Sequence, residues 1–102
     1  MQEGLLPRFV NTPGYLIDHL IEKLKGDLLE SARSVNACAR AGDIKRNRVT
    51  YGVAIKCASV LWDLGCEVEV PAWENGDFMQ IDEVTVNGRV TKIYPLRVSV
   101  ER

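Results

Sequence analysis

The sequence has few of the residues from which metal centres and catalytic sites are built. It contains one histidine, His19, and three cysteines, Cys38, Cys57 and Cys66, which have no CxxC spacing. Structural zinc sites take their ligands from clustered cysteines and histidines, so no metal is expected. Glycine-rich phosphate loops and the GxSxG, HExxH, P-loop and EF-hand patterns are absent as well. We therefore predict no catalytic residue, no metal site and no cofactor, and the balance favours a protein that is not an enzyme.

Long apolar runs and a strong excess of one charge are also missing. No stretch approaches the about 18 apolar residues that cross a bilayer, and the N-terminal MQEGLLPRFV lacks the basic and apolar regions of a secretory signal. With 13 basic and 14 acidic residues, the net charge of −1 gives no overall field that attracts nucleic acid or an anionic membrane. At 102 residues and 46% hydrophobic composition, the chain fits one globular domain. We expect a single soluble, cytoplasmic domain over residues 1–102, with no membrane partner.

The most distinctive segment, residues 49–64, has the period of a helix but is apolar on two sides. One stripe consists of Val49, Val53, Cys57, Val60 and Leu64, and the other of Tyr51, Ile55, Ala58 and Trp62. A helix that is apolar nearly all round has to be covered on more than one side. We therefore predict that Tyr51, Ile55 and Trp62 contact another helix or a second subunit.

A longer helix is predicted over about residues 13–41. Thr12 and Pro13 suit its start and Gly42 suits its end. Its apolar stripe consists of Ile17, Ile21, Leu24, Leu28, Val35 and Cys38 or Ala39. Gly26 leaves open whether the segment is one helix or two collinear pieces.

At a rise of about 1.5 Å per residue, the two predicted helices are about 42 Å and about 24 Å long. Part of the first apolar stripe then extends beyond the second helix and has to be covered. It can be covered by an N-terminal arm over residues 1–11, by the sheet, or by another copy of the chain. We predict self-association through the helices, as a homodimer. The alternative is that the arm and the sheet suffice.

After Gly65 the apolar period changes to two, which predicts strands. We expect a C-terminal three-stranded antiparallel meander over about residues 67–73, 78–86 and 89–100, with the two N-terminal helices packed on it. This order of elements is typical of an α+β domain.

Two Asn-Gly pairs, Asn75-Gly76 and Asn87-Gly88, predict the hairpin turns and therefore the cross-strand neighbours. The implied pairs are Trp73 with Phe78, Glu69 with Asp82, and Glu83 with Lys92. The apolar side of the middle strand changes between Ile81 and Val84, which predicts a bulge at Asp82–Glu83.

In that register Trp73 and Phe78 share the sheet face opposite the core, bordered by Glu69 and Asp82. Exposed aromatic residues surrounded by charge are typical of binding surfaces, so we predict that these four residues contact a partner or a ligand. An alternative hypothesis is a small-molecule-binding protein or enzyme with a pocket between the helices and a curved sheet, in which Glu69, Asp82 or Tyr94 supplies the polar groups. The ordinary interpretation of the acids is that they keep an open sheet face hydrated.

Lys45, Arg46 and Arg48 cluster in the predicted loop between the helices, residues 41–48. A phosphate contact is one interpretation, and nucleic-acid binding is the function it would serve. Further basic residues in that hypothesis are Arg89, Lys92 and Arg97. Three bases without interleaved aromatics are a weak signal and are more typical of a hydrated loop, so nucleic acid is not the expected partner. The favoured function is a small, non-catalytic binding domain that self-associates through its helices and contacts a protein or small-molecule partner.

Overall fold

Two helices pack on antiparallel strands in the computed structural model, which describes residues 14–95. The helices are α1 (Gly14–Ala41) and α2 (Ile44–Asp63). The strands are β1 (Val68–Glu69), β2 (Ala72–Asn75), β3 (Phe78–Ile81), β4 (Glu83–Val86) and β5 (Arg89–Lys92). The predicted α+β fold class is confirmed. The expectations for the N-terminal arm, for a helix start at Thr12 and Pro13, and for the last strand beyond Pro95, including Arg97, lie outside the described residues.

α1 is one continuous helix of 28 residues that runs through Gly26. Its buried side chains are Leu28, Ala32, Val35 and Asn36. The helix ends where predicted, at Gly42, whose φ of 76° is left-handed. The N–H of Gly42 donates to the carbonyl of Ala39 (3.2 Å), and the N–H of Asp43 donates to the carbonyl of Cys38 (3.0 Å). These two bonds satisfy carbonyls of the last turn, as in a Schellman motif.

α2 begins at Ile44 instead of residue 49. Asp43 is its N-cap, and the Oδ1 atom of Asp43 accepts a hydrogen bond from the N–H of Arg46 at 3.2 Å. This bond satisfies one of the donors that a helix leaves unpaired in its first turn. The expectation of a loop over residues 41–48 is therefore wrong, because Gly42 and Asp43 complete the connection between the helices. Lys45 and the two arginines that follow it lie on the first turns of α2.

The buried face of α2 lies between the two predicted apolar stripes. It consists of Asn47, Ala54, Cys57, Ala58 and Leu61. Cys57 belongs to one predicted stripe and Ala58 to the other, whereas Ala54 and Leu61 belong to neither. Four residues of the stripes flank the buried face and are exposed in the single chain: Val49, Val53, Ile55 and Trp62. The contact of this helix with a second subunit stays a prediction.

The strands form two sheets instead of one three-stranded meander: β1-β4-β5 and β2-β3. The first predicted strand is interrupted at residues 70–71, and the second at Asp82. Pro71 has no N–H to donate to a neighbouring strand, which accounts for the first interruption.

The second interruption is the predicted bulge. The pairs Glu69↔Thr85 and Ala72↔Ile81 flank it on its two sides. Between these pairs, residues 70–71 on one chain segment oppose residues 82–84 on the other, so the second segment has one additional residue. This extra residue lets Ile81 and Val84 both be buried, although they lie at odd and even positions.

The β4–β5 hairpin has the predicted turn and register. Asn87 and Gly88 have φ values of 50° and 84°, as a tight type I′ turn requires. Glu83 pairs with Lys92, as predicted.

The β2–β3 hairpin turns one residue later than predicted, at Gly76 and Asp77. Trp73 therefore pairs with Gln80, and the predicted pair of Trp73 with Phe78 is wrong. The predicted register placed Glu74 opposite Asp77, a repulsive pair. In the observed register Glu74 instead faces Met79.

Apolar side chains from both helices and both sheets form one core. Those that are fully or almost fully buried are Leu28, Ala32, Val35, Ala54, Leu61, Ile81, Val84 and Ile93. Two asparagines, Asn36 from α1 and Asn47 from α2, are buried in the same layer and bond to the backbone of β3.

Candidate interaction surface

Ile55 and Trp62 lie on one flank of α2, beside the edge strand β1. They are seven residues apart, which places them on the same side of the helix two turns apart. Trp62 is 54% exposed and Ile55 is 39% exposed. Together with β1 they line a groove of about 370 Å³, which we call the α2–β1 groove. Its lining residues are Ile55, Ala58, Ser59, Trp62, Asp63, Val68 and Val70.

The end of α2 explains why β1 lies beside it. Gly65 has a φ of 98°, and the N–H of Cys66 donates to the carbonyl of Leu61 at 2.9 Å. This left-handed turn sends the chain back along the helix. The indole N–H of Trp62 then donates to the carbonyl of Val68 at 3.0 Å. The role of Val68 in this groove was not predicted from the sequence. The available signal was the strand period directly after Gly65, which indicates a strand next to the end of the helix.

Tyr51, predicted to belong to the same contact, has a different position. It is half-buried and packs against the core, next to the buried face of α2. The structure therefore brings Ile55 and Trp62 together on the surface and places Tyr51 at the contact between the helices and the sheets.

Further exposed apolar residues lie on the other flank of α2 and at the start of α1. Val49 and Val53 are exposed on α2, and Val53 lines a groove of about 340 Å³ between the helices. Tyr15 and Leu16 are exposed at the start of α1, where the buried residues begin only at Leu28. Before Leu28, Ile21 and Leu24 are half-buried and pack against the core.

The four residues predicted to contact a partner on the sheet are not brought together. Glu69 lies on β1 and pairs with Thr85, whereas Asp82 lies in the interruption between β3 and β4. The predicted opposition of Glu69 and Asp82 is therefore wrong. Trp73 and Phe78 do share one face of the β2–β3 hairpin, as diagonal neighbours instead of direct ones.

The β2–β3 face is partly exposed. Trp73 is 46% exposed, whereas Phe78 is half-buried and lines a groove of about 320 Å³ with Ala39 and the turn. Tyr94, a polar group in the alternative pocket, is exposed after β5.

The three basic residues at the start of α2, Lys45, Arg46 and Arg48, do not form one cationic cluster. The Arg48 guanidinium donates from Nε and Nη2 to the carbonyl of Asp77, at 2.9 and 2.7 Å, and so connects α2 to the β2–β3 turn. Lys45 and Arg46 are exposed but point about 100° apart around the helix, since they are consecutive. The carboxylate of Asp43 lies at the same helix end and opposes an anion there.

The thiols do not have the surroundings of a reactive cysteine. Cys57 and Cys66 are buried and Cys38 is half-buried. Burial raises the pKa of the Cys57 thiol, and the nearby carboxylate of Asp27 raises this pKa further. A raised pKa lowers the fraction of thiolate, the nucleophilic form.

Among residues 14–95, no group of three or more histidine, cysteine, aspartate or glutamate side chains is arranged to hold a metal ion. Neither α1 nor α2 has an apolar stretch long enough to traverse a bilayer.

Comparison with known proteins gives no relative, since no protein family, no curated protein and no solved structure matches the chain.

Proposed function

We propose that this chain is a small, non-catalytic interaction domain that forms a homodimer through the α2–β1 groove. The observation that carries the proposal is the exposure of Ile55 and Trp62 on one helix flank, next to Val70 and an edge strand. Tryptophan is among the residues that most often anchor protein interfaces. Burial of the exposed part of such side chains in a second copy removes apolar surface from water.

The distribution of charge along α2 favours an antiparallel arrangement of the two copies. The first turns carry Lys45 and two arginines, whereas the last turn carries Asp63 and no base. Lys45 and Asp63 are about five helical turns apart and so lie on the same side of the helix. In an antiparallel pair centred near Ile55, Lys45 of one protomer approaches Asp63 of its partner, twice by symmetry.

The same charges oppose the helix dipole within one chain. Bases lie at the positive N-terminal end of α2, and Asp63 lies at the negative C-terminal end. An antiparallel partner places opposite charges beside both ends, which relieves this repulsion. A cytoplasmic location is part of the proposal, and the three free cysteines fit a reducing compartment.

Nucleic-acid binding is not part of the proposal. Arg48 is engaged with the carbonyl of Asp77, and Asp43 adds a negative charge at the same helix end. These contacts leave the hypothesis without a supporting observation.

The oligomeric state tests the proposal. We expect the wild type to be a dimer in the micromolar range by sedimentation equilibrium and Trp62→Glu to be a monomer. Trp73→Glu is the matched control, because Trp73 is similarly exposed on the β2–β3 hairpin, and it should remain a dimer. Ile55→Glu serves as a second variant in case the loss of the Trp62 indole disturbs folding, which circular dichroism monitors. A monomeric wild type, or loss of the dimer in Trp73→Glu alone, contradicts the proposal.

A charge exchange tests the antiparallel orientation. Lys45→Glu and Asp63→Lys should each weaken the dimer, because each places like charges together across the two-fold axis. The double variant should recover most of the lost affinity. Additive weakening in the double variant would show that these two residues do not meet.

A further inference from the structure

A second groove lies between α1 and the β4–β5 hairpin and shares no residue with the α2–β1 groove. Its volume is about 390 Å³, and we call it the α1–β5 groove. Its lining residues are Glu22, Lys25, Leu29, Val84, Val86, Asn87, Arg89 and Thr91. Ligand pockets commonly measure about 300 to 1,000 Å³, so this groove is large enough for a small molecule.

The register of the hairpin produces the floor of this groove. Val84 pairs with Thr91 and Val86 pairs with Arg89, so these four side chains project from one face of the sheet. Leu29 of α1 lies opposite this face and is half-buried. The groove therefore has an aliphatic lining with one cation, Arg89, at its edge.

The charged side chains that line the groove, Glu22, Lys25 and Arg89, give it a net positive charge. Lys25 Nζ lies 3.0 Å from Glu22 Oε2, so these two charges balance each other. The guanidinium of Arg89 then supplies the net charge of the groove. Guanidinium groups bind carboxylates through two parallel hydrogen bonds, which makes arginine suited to this anion.

We propose that the α1–β5 groove binds a small amphipathic carboxylate. The carboxylate contacts Arg89, and the apolar body of the molecule lies on the half-buried Leu29 and Val86, next to the buried Val84. The Oδ1 atom of Asn87 accepts the N–H of Glu67 at 2.8 Å, which holds this side chain in place at the end of the groove. This ligand class follows from the combination of one net cation and an aliphatic floor in one groove.

Octanoate and 1-octanol are the probes, since they share the alkyl chain and differ in the charge. In a titration followed by ¹H–¹⁵N chemical shifts, we expect octanoate to move the amides of Leu29, Val84 and Val86 with a saturable curve. Octanol should bind about tenfold more weakly, which corresponds to about 1.4 kcal/mol.

Arg89→Gln should weaken octanoate binding by about tenfold, as expected for the loss of one charge-assisted contact. Lys92→Gln is the matched control, because Lys92 lies on the same strand, is also exposed and projects from the opposite face. Thr91→Trp fills the groove without a change of charge and should abolish binding.

Three outcomes overturn the inference. They are an absence of saturable shifts below the critical micelle concentration, equal effects of the Arg89 and Lys92 variants, and shifts centred on residues outside the groove. None of these outcomes bears on the dimer, whose test uses different residues.

Discussion

Asn47 forms a two-way hydrogen-bonded pair with the backbone of Met79. Its Nδ2 atom donates to the Met79 carbonyl and its Oδ1 atom accepts the Met79 N–H, both at 2.8 Å. Asn36 makes the same pair with Ile81, at 2.7 and 2.8 Å. Two side-chain amides therefore occupy the edge of β3 that faces away from β2, and they do so in place of a neighbouring strand.

These pairs predict a large cost for the loss of either amide. Asn47→Ala leaves the N–H and carbonyl of Met79 without their buried partner and removes a third bond, from Nδ2 to the Val35 carbonyl at 2.8 Å. Since a buried, unsatisfied polar group costs about 1 to 3 kcal/mol, we expect the free energy of unfolding to fall by about 3 kcal/mol. Urea unfolding followed by circular dichroism measures this change.

The control for Asn47 is Lys56→Ala, an exposed position on the same helix outside the α2–β1 groove, which should stay within about 0.5 kcal/mol of the wild type. Asn47→Asp keeps an acceptor for the Met79 N–H but loses the donor, so it should be destabilised as well. A stable Asn47→Ala protein would mean that the amide does not support β3.

Arg48 predicts a local effect instead of a global one. Arg48→Lys loses the paired donation to the Asp77 carbonyl, because an ammonium group cannot match the guanidinium geometry. The contact is exposed, so the change in unfolding free energy should be about 0.5 kcal/mol or less. We expect faster amide hydrogen exchange in the β2–β3 turn and unchanged exchange in β4–β5. Arg46→Lys, on another side of the same helical turn, should leave both hairpins unchanged.

Much of this fold could be predicted from the sequence, where local chemistry decides the outcome. The end of α1, the turn at Asn87-Gly88 and the bulge before Val84 follow from one glycine, one tight turn and one change of period. The start of α2 was missed because Asp43 was not recognised as an N-cap directly after Gly42. The β2–β3 register was missed because Asn75-Gly76 is compatible with a turn at either position.

The remaining differences depend on tertiary contacts. The buried face of α2 contains Ala54 and Ala58, which are less hydrophobic than the valines and the tryptophan beside them. Hydrophobicity alone therefore assigns the core to the wrong sides of this helix, because small residues let two helices approach closely. Asn36 and Asn47 bond to residues 45 and 32 positions away, a relation that no local pattern contains.

Cys57 predicts how stability depends on alkaline pH. Its folded-state pKa is raised, chiefly by burial, so the unfolded chain loses the thiol proton first as the pH rises. The contribution of the protonated Cys57 thiol to the free energy of unfolding is fully present below the unfolded pKa, about 8.5. This contribution is lost as the pH rises through the folded pKa. Between neutral pH and a pH above the folded pKa of this thiol, the free energy of unfolding should therefore fall less in Cys57→Ala than in the wild type.

Ser34→Ala is the control for this measurement, because Ser34 lines the same groove between the helices as Cys57 but has no group that titrates in this range, so the alkaline loss should equal that of the wild type. Unfolding by urea at a series of pH values, compared within each variant, separates this effect from the cost of the substitution itself. An identical alkaline loss in wild type and Cys57→Ala would show that the thiol does not contribute to it.

The two tryptophans predict a spectroscopic test of which surface the second copy covers. Trp62 and Trp73 are exposed to similar extents in one chain, so both should emit at long wavelengths in the dilute protein. In Trp73→Phe, which leaves Trp62 as the reporter, the emission should move to shorter wavelengths as the concentration rises, in parallel with the mass. In Trp62→Phe, the emission of Trp73 should stay constant at every concentration. If the Trp73 emission shifts and that of Trp62 does not, the β2–β3 face is the interface, and the α2–β1 groove is left without the role proposed for it.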